Sequence, residues 1–84
     1  MNGDQANQLK TLSVTFDLSL SATEYLKYYQ GRAKWINVLS TSGARVRLPA
    51  NRLAAFVGHN GIQGRFVLQY LSSGKFVSIS KINQ

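Results

Sequence analysis

Cysteine is absent from this 84-residue chain, histidine and proline occur once each, and only three residues are acidic. Without cysteine, neither a disulfide nor a thiolate metal site can staple the fold, so packing or self-association must hold it together. The three acids are dispersed. Asp4 falls in a polar N-terminal stretch, Asp17 on the wet side of an alternating segment, and Glu24 where a helix cap accounts for it. That leaves no carboxylate pair for acid–base work of the glycosidase kind. His59 stands alone in a Gly-Asn turn, without the oriented partners that a nucleophilic triad or a metal centre requires. These absences predict a protein that is not an enzyme and takes no cofactor or metal. No run approaches the ~18 apolar residues of a membrane span, so no membrane partner is expected. Met1 to Lys10 has neither the apolar run nor the cleavage site of a signal peptide. It reads as a flexible lead to a single β-rich domain over 11–84, and the expected location is the cytoplasm.

What is present is positive charge: ten Lys and Arg give a net +7, with 44 % apolar and 15 % charged residues. The apolar share is too high for a disordered chain. The charge favours polyanions, since clustered cations release counterions when they neutralise phosphates.

From Thr11 to Leu20 apolar and polar residues alternate without error, Leu12, Val14, Phe16, Leu18 and Leu20 against Thr11, Ser13, Thr15, Asp17 and Ser19. That period of two marks a strand with one buried face. Ser21-Ala22-Thr23-Glu24 then fits a capping box, with Leu20 and Tyr25 as a hydrophobic staple. Ala22, Tyr25, Leu26 and Tyr29 share one helical face, which predicts a helix over 22–30, packed through Tyr25, Leu26 and Tyr29 and closed by Gly31.

A hairpin is expected from Ala33–Ser40 and Ala44–Leu48 around Thr41-Ser42-Gly43. Its best register pairs Val38 with Val46 and Ile36 with Leu48, leaving Trp35, Asn37, Leu39, Arg45 and Arg47 on the other face. In strand 33–40 the opposite alternation, with Lys34, Ile36 and Val38 outward, stays open. Pro49 ends the second strand, and Leu53, Phe56 and Val57 suggest a helical turn near 50–57. After the Gly58–Gly61 turn, Arg65–Leu71 and Lys75–Ile82 form a second hairpin around Ser72-Ser73-Gly74. Phe66, Leu68, Tyr70 and Phe76 fall on one of its faces and Val67, Leu71, Val77 and Ile79 on the other. A hairpin apolar on both faces needs cover on both, so a homo-oligomer is expected, with a dimer favoured. The fold class is therefore α+β and β-rich: a small, bent antiparallel sheet or barrel of five strands, with one short helix and a helical turn.

The surface that could carry function is Lys34, Trp35, Asn37, Arg45 and Arg47, with Arg32 and Arg52 nearby in sequence. Cations that track phosphates beside a ring that stacks on a base are how small barrels hold single strands. RNA or DNA is the expected partner. The alternative is a protein-interaction or regulatory module that self-associates through its C-terminal hairpin, its charge steering an acidic protein. The glycines Gly58, Gly61 and Gly64 lack the Lys and Ser/Thr of a Walker loop, and turn geometry accounts for them.

The blocks Glu24-Tyr25-Leu26-Lys27-Tyr28-Tyr29-Gln30-Gly31 and His59-Asn60-Gly61-Ile62-Gln63-Gly64-Arg65-Phe66, with Arg47-Leu48-Pro49-Ala50 between them, resemble a family of small bacterial proteins, mostly gammaproteobacterial, known as a domain of unknown function. The resemblance spans roughly residues 12–82. It implies a stand-alone bacterial protein and singles out His59, Gly61, Gly64 and Arg65 as loop candidates, without assigning a role to any of them.

Overall fold

The computed structural model describes residues 10–30 and 34–82. Along the chain come β1 (Thr11–Leu20), α1 (Ala22–Tyr29), β2 (Trp35–Leu39), β3 (Arg45–Pro49), a 3-10 helix (Ala50–Phe56), β4 (Ile62–Leu71) and β5 (Phe76–Ile82). Residues 1–9 of the expected 1–10 lead, the Gly31 cap, Arg32 and Ala33, the expected start of the first hairpin, lie outside the described residues.

The strands form two antiparallel sheets, one ordered β1-β4-β5 and the other the β2-β3 hairpin. The expected single five-stranded sheet or closed barrel is therefore corrected among the described residues; the mostly-β α+β class stands. All ten residues of β1 pair with β4, Phe16 opposite Phe66 and Asp17 opposite Arg65. On its other edge β1 meets β2 only at its end. Phe16 bridges Ser40, and the Thr41 amide donates to the Thr15 carbonyl at 2.8 Å. The hairpin turn begins at that point, with the Ser40 amide donating to the Ala44 carbonyl, so β2 leaves β1 after one bridge and a continuous ladder cannot form.

The alternation read from β1 decides its faces: Phe16 is fully buried and Val14, Leu18 and Leu20 pack partly against the core. The β2-β3 register is the expected one, Val38 opposite Val46 and Ile36 opposite Leu48. Ile36, Val38 and Leu48 are buried and Trp35, Asn37, Leu39, Arg45 and Arg47 exposed, which settles the open alternation of this strand. Both hairpin tips close alike, with Gly43 (φ +94°) and Gly74 (φ +96°) in the left-handed conformation that three-residue loops ask of their last residue.

In the second hairpin one residue changes the faces. The pairing runs Tyr70–Phe76 and then Gln69–Ser78, so Val77 is bulged out and Ile79 pairs with Leu68. A bulge shifts alternation by one residue. Ile79 thereby joins the core side, not the face shared with Val67 that strict alternation assigns it, and Val77 is left 43 % exposed.

The capping box of α1 is formed: the Glu24 amide donates to Ser21 Oγ at 3.0 Å and the Ser21 amide to Glu24 Oε1 at 2.9 Å. Tyr25 is buried and its hydroxyl donates to the Ala50 carbonyl at 3.1 Å. Leu26, expected to pack on the sheet, is instead 48 % exposed; α1 meets the core through Tyr25 and Tyr28, and Leu26 borders a surface hollow beside Ala54 and Val57. The side chain of Tyr29 lies outside the described residues. Helical structure near 50–57 is present in 3-10 form. At three residues per turn, Ala50, Leu53 and Phe56 align on one face; Ala50 and Leu53 are buried, Phe56 partly so, and Val57 is exposed. Phe66 sits at the centre, stacked on Phe16 (centroids 5.6 Å apart) and met edge-on by Phe56 (5.2 Å).

Candidate functional site

In space the strands run β3, β2, β1, β4, β5, the two sheets joined at the Ser40 bridge. A barrel would close by pairing β3 with β5. Along that seam the structure instead has a cleft of about 500 Å³, walled on one side by β3 and Trp35 and on the other by Leu68, Tyr70 and the residues from Gly74 to Phe76. Its apolar floor comes from residues such as Leu48 and Leu68, and its cations are Arg45, Arg47 and Lys75. No acid among the described residues lines it. Of the described acids, Asp17 is held by Arg65 and Glu24 by the helix cap. Both lie away from the seam.

Two rings at this opening carry guanidinium groups. Arg47 and Trp35 lie diagonally on the outer face of the hairpin, and Arg47 Cζ stands 4.8 Å from the indole centroid. Arg52, on the 3-10 helix, places Cζ 4.7 Å from the Phe76 ring centroid. Both distances are within the ~6 Å range of cation–π attraction. Trp35 remains 47 % exposed. It also walls a second, shallower hollow of about 420 Å³, shared with Tyr28, Lys34 and Asn51. The structure thus brings Lys34, Trp35, Arg45, Arg47 and Arg52 to one side of the molecule. It adds Tyr70, Lys75 and Phe76, which sequence patterning placed only in a hairpin. The signal for those three lay in topology, since an open seam sets β3 beside the β4-β5 tip.

The loop candidates fall elsewhere. His59 is exposed at the tip of the turn between Gly58 and Gly61, whose amides and carbonyls pair with each other. Gly61 (φ +91°) packs against the β1–α1 junction so closely that a Cβ there would collide with the Leu20 carbonyl oxygen and the Ser21 backbone. Gly64 and Arg65 lie inside β4, which begins at Ile62, earlier than the expected Arg65. Lys81 covers Gly64. Arg65 grips Asp17 with two hydrogen bonds of 2.7 and 2.9 Å. Those bonds, ahead of the guanidinium's charge, hold the Asp17 carboxyl below the usual carboxylate range and push Arg65 up. The Glu24 carboxyl is likewise lowered, first by the Ser21 amide and then by its hydroxyl. A broad surface hollow beside Asp17, Arg65 and Lys81 therefore contains its own anion, whereas the seam cleft does not.

The arrangement is that of a small β-rich scaffold presenting an open, cationic and aromatic seam. The profile of a family described as Protein of unknown function (DUF2835) matches residues 12–82, and the chain belongs to that family. No curated protein and no solved structure matches the chain. Among the described residues, no helix is long and apolar enough to cross a membrane.

Proposed function

We propose that this protein is a non-enzymatic binding protein for single-stranded nucleic acid, RNA or DNA, working in the cytoplasm and holding its ligand at the seam between β3 and the β4-β5 tip. The observation that carries the reading is the composition of that cleft: Arg45, Arg47 and Lys75 beside the rings of Trp35, Tyr70 and Phe76, with no lining acid among the described residues. Cations neutralise phosphates and rings stack on bases without regard to sequence. The test is binding of a labelled oligonucleotide as a function of salt. Affinity should fall with a slope of about −0.7 per neutralised phosphate on a log–log plot. Replacing Arg45 and Arg47 together by Ala should flatten the slope by about 1.4. Absence of binding at ~0.1–0.15 M salt, where charges are screened over ~8–10 Å, would defeat the reading, as would a double variant that binds unchanged.

A second reading has one observation in its favour. The outer edge of β5 has no strand partner among the described residues, and Val77 is exposed beside it. An open edge is a template for pairing with another copy, which would make the protein a dimeric interaction module. Light scattering decides: a species of 9.3 kDa at micromolar concentration removes this alternative.

A further inference from the structure

Resting on the nucleic-acid reading, we infer that the seam has two stacking stations, Arg47 on Trp35 and Arg52 on Phe76, and that one strand spans both. The first station lies on the β2-β3 hairpin and the ring of the second, Phe76, on the β4-β5 side, so the two rings stand on opposite walls of the cleft; the exposed Arg52 reaches Phe76 from the 3-10 helix, beside the cleft and outside its lining. The Phe76 ring is partly buried and packed against the core, so its accessible extension is the Arg52 guanidinium. A guanidinium is planar and stacks on π-faces, and bases stack on such planes as they do on rings. Arg52 on Phe76 therefore offers a base a platform even though the ring itself is partly covered. At the other wall the exposed Trp35 ring offers its own surface, and because it also borders the Lys34 hollow, the strand can continue past it. Lys34 at one end and Lys75 at the other then supply phosphate contacts beyond the stations. The arrangement selects a single strand, because a duplex keeps its base faces stacked against each other.

The test uses the full-length protein and a fluorescent oligo-dT of about a dozen nucleotides, within the site sizes of small single-strand binders, with its annealed duplex as competitor. Arg52→Lys keeps the charge and removes the plane. It should weaken binding several-fold while leaving the salt slope unchanged. Trp35→Ala, at an exposed position, should weaken it about tenfold, with Trp35→Phe retaining most of the affinity. Thymidine monophosphate, which reaches only one station, should compete far less well per nucleotide than the oligomer. Weakening by Trp35→Ala together with wild-type binding by Arg52→Lys overturns the second station and leaves the nucleic-acid reading intact. Duplex binding as tight as single-strand binding overturns the stacking mode. Failure of the wild-type protein to bind either form overturns the underlying reading, and the two stations with it.

Discussion

At the residue scale, four positions test how closely local chemistry fixes this fold. The Ser21 hydroxyl satisfies an amide that the first turn of α1 would otherwise leave open. Ser21→Ala should lower stability by about 1 kcal/mol in denaturant unfolding. Gly61→Ala should cost more, about 2–4 kcal/mol, because the new methyl would meet backbone of the β1–α1 junction and the left-handed conformation would be strained as well. A Gly61→Ala variant of wild-type stability would show that the junction can open freely. The acid response belongs to Asp17 and Glu24. Both carboxyls sit below their ordinary range when folded, so their stabilisation is complete above the unfolded-chain value near pH 4 and fades as pH falls through the folded value. The effect should be small, since the Asp17–Arg65 pair is exposed, at 62 % and 43 % of its side chains. NMR titration should place both midpoints below those of a model peptide, and Arg65→Ala should return the Asp17 midpoint towards the ordinary value.

At the element scale, the bulge in β5 separates two apolar residues that alternation alone would place on one face. Ile79 packs on the core beside Leu68, and Val77 faces water. Ile79→Ala should therefore cost about 1–2 kcal/mol, at the low end for a partly buried site, while Val77→Ser should stay within about 0.5 kcal/mol. Reversed magnitudes would mean that the bulge is absent or that another chain covers Val77. The tie between α1 and the 3-10 helix is similarly specific. Tyr25→Phe removes the 3.1 Å bond to the Ala50 carbonyl, which as the first residue of the 3-10 helix keeps its backbone donor, so the loss should be that of one hydrogen bond, about 0.5–1.5 kcal/mol. Thermal unfolding of the single variant measures it.

At the scale of the whole molecule, the two sheets share one core and leave one seam open, so a ligand at that seam should brace both walls and raise overall stability. Ligand at a hundredfold excess over its dissociation constant adds about 2.7 kcal/mol. At about 4–8 °C per kcal/mol for a domain this small, a saturating single strand should raise Tm by about 10 °C or more. The Arg45→Ala, Arg47→Ala double variant should lose most of that shift. An unchanged Tm with saturating oligonucleotide would count against binding at the seam.

Sequence alone determined the local events. The period of two in β1, the capping box at Ser21–Glu24, the β2-β3 register and the two glycine-closed tips each depend on residues close together in the chain. Their physical causes, alternation, hydrogen-bond reach and positive φ, are written in neighbouring side chains. Tertiary structure alone decided the rest. Whether β3 pairs with β5 depends on where β2 turns away from β1, a contact between Phe16 and Ser40 that no local pattern encodes. The face of Ile79 depends on one bulged residue, and the exposure of Leu26 on how α1 meets the core. The candidate site follows the same division. Trp35, Arg45 and Arg47 were legible because they alternate on one strand face. Tyr70, Lys75 and Phe76 were not, because only the unclosed seam brings the far hairpin beside them.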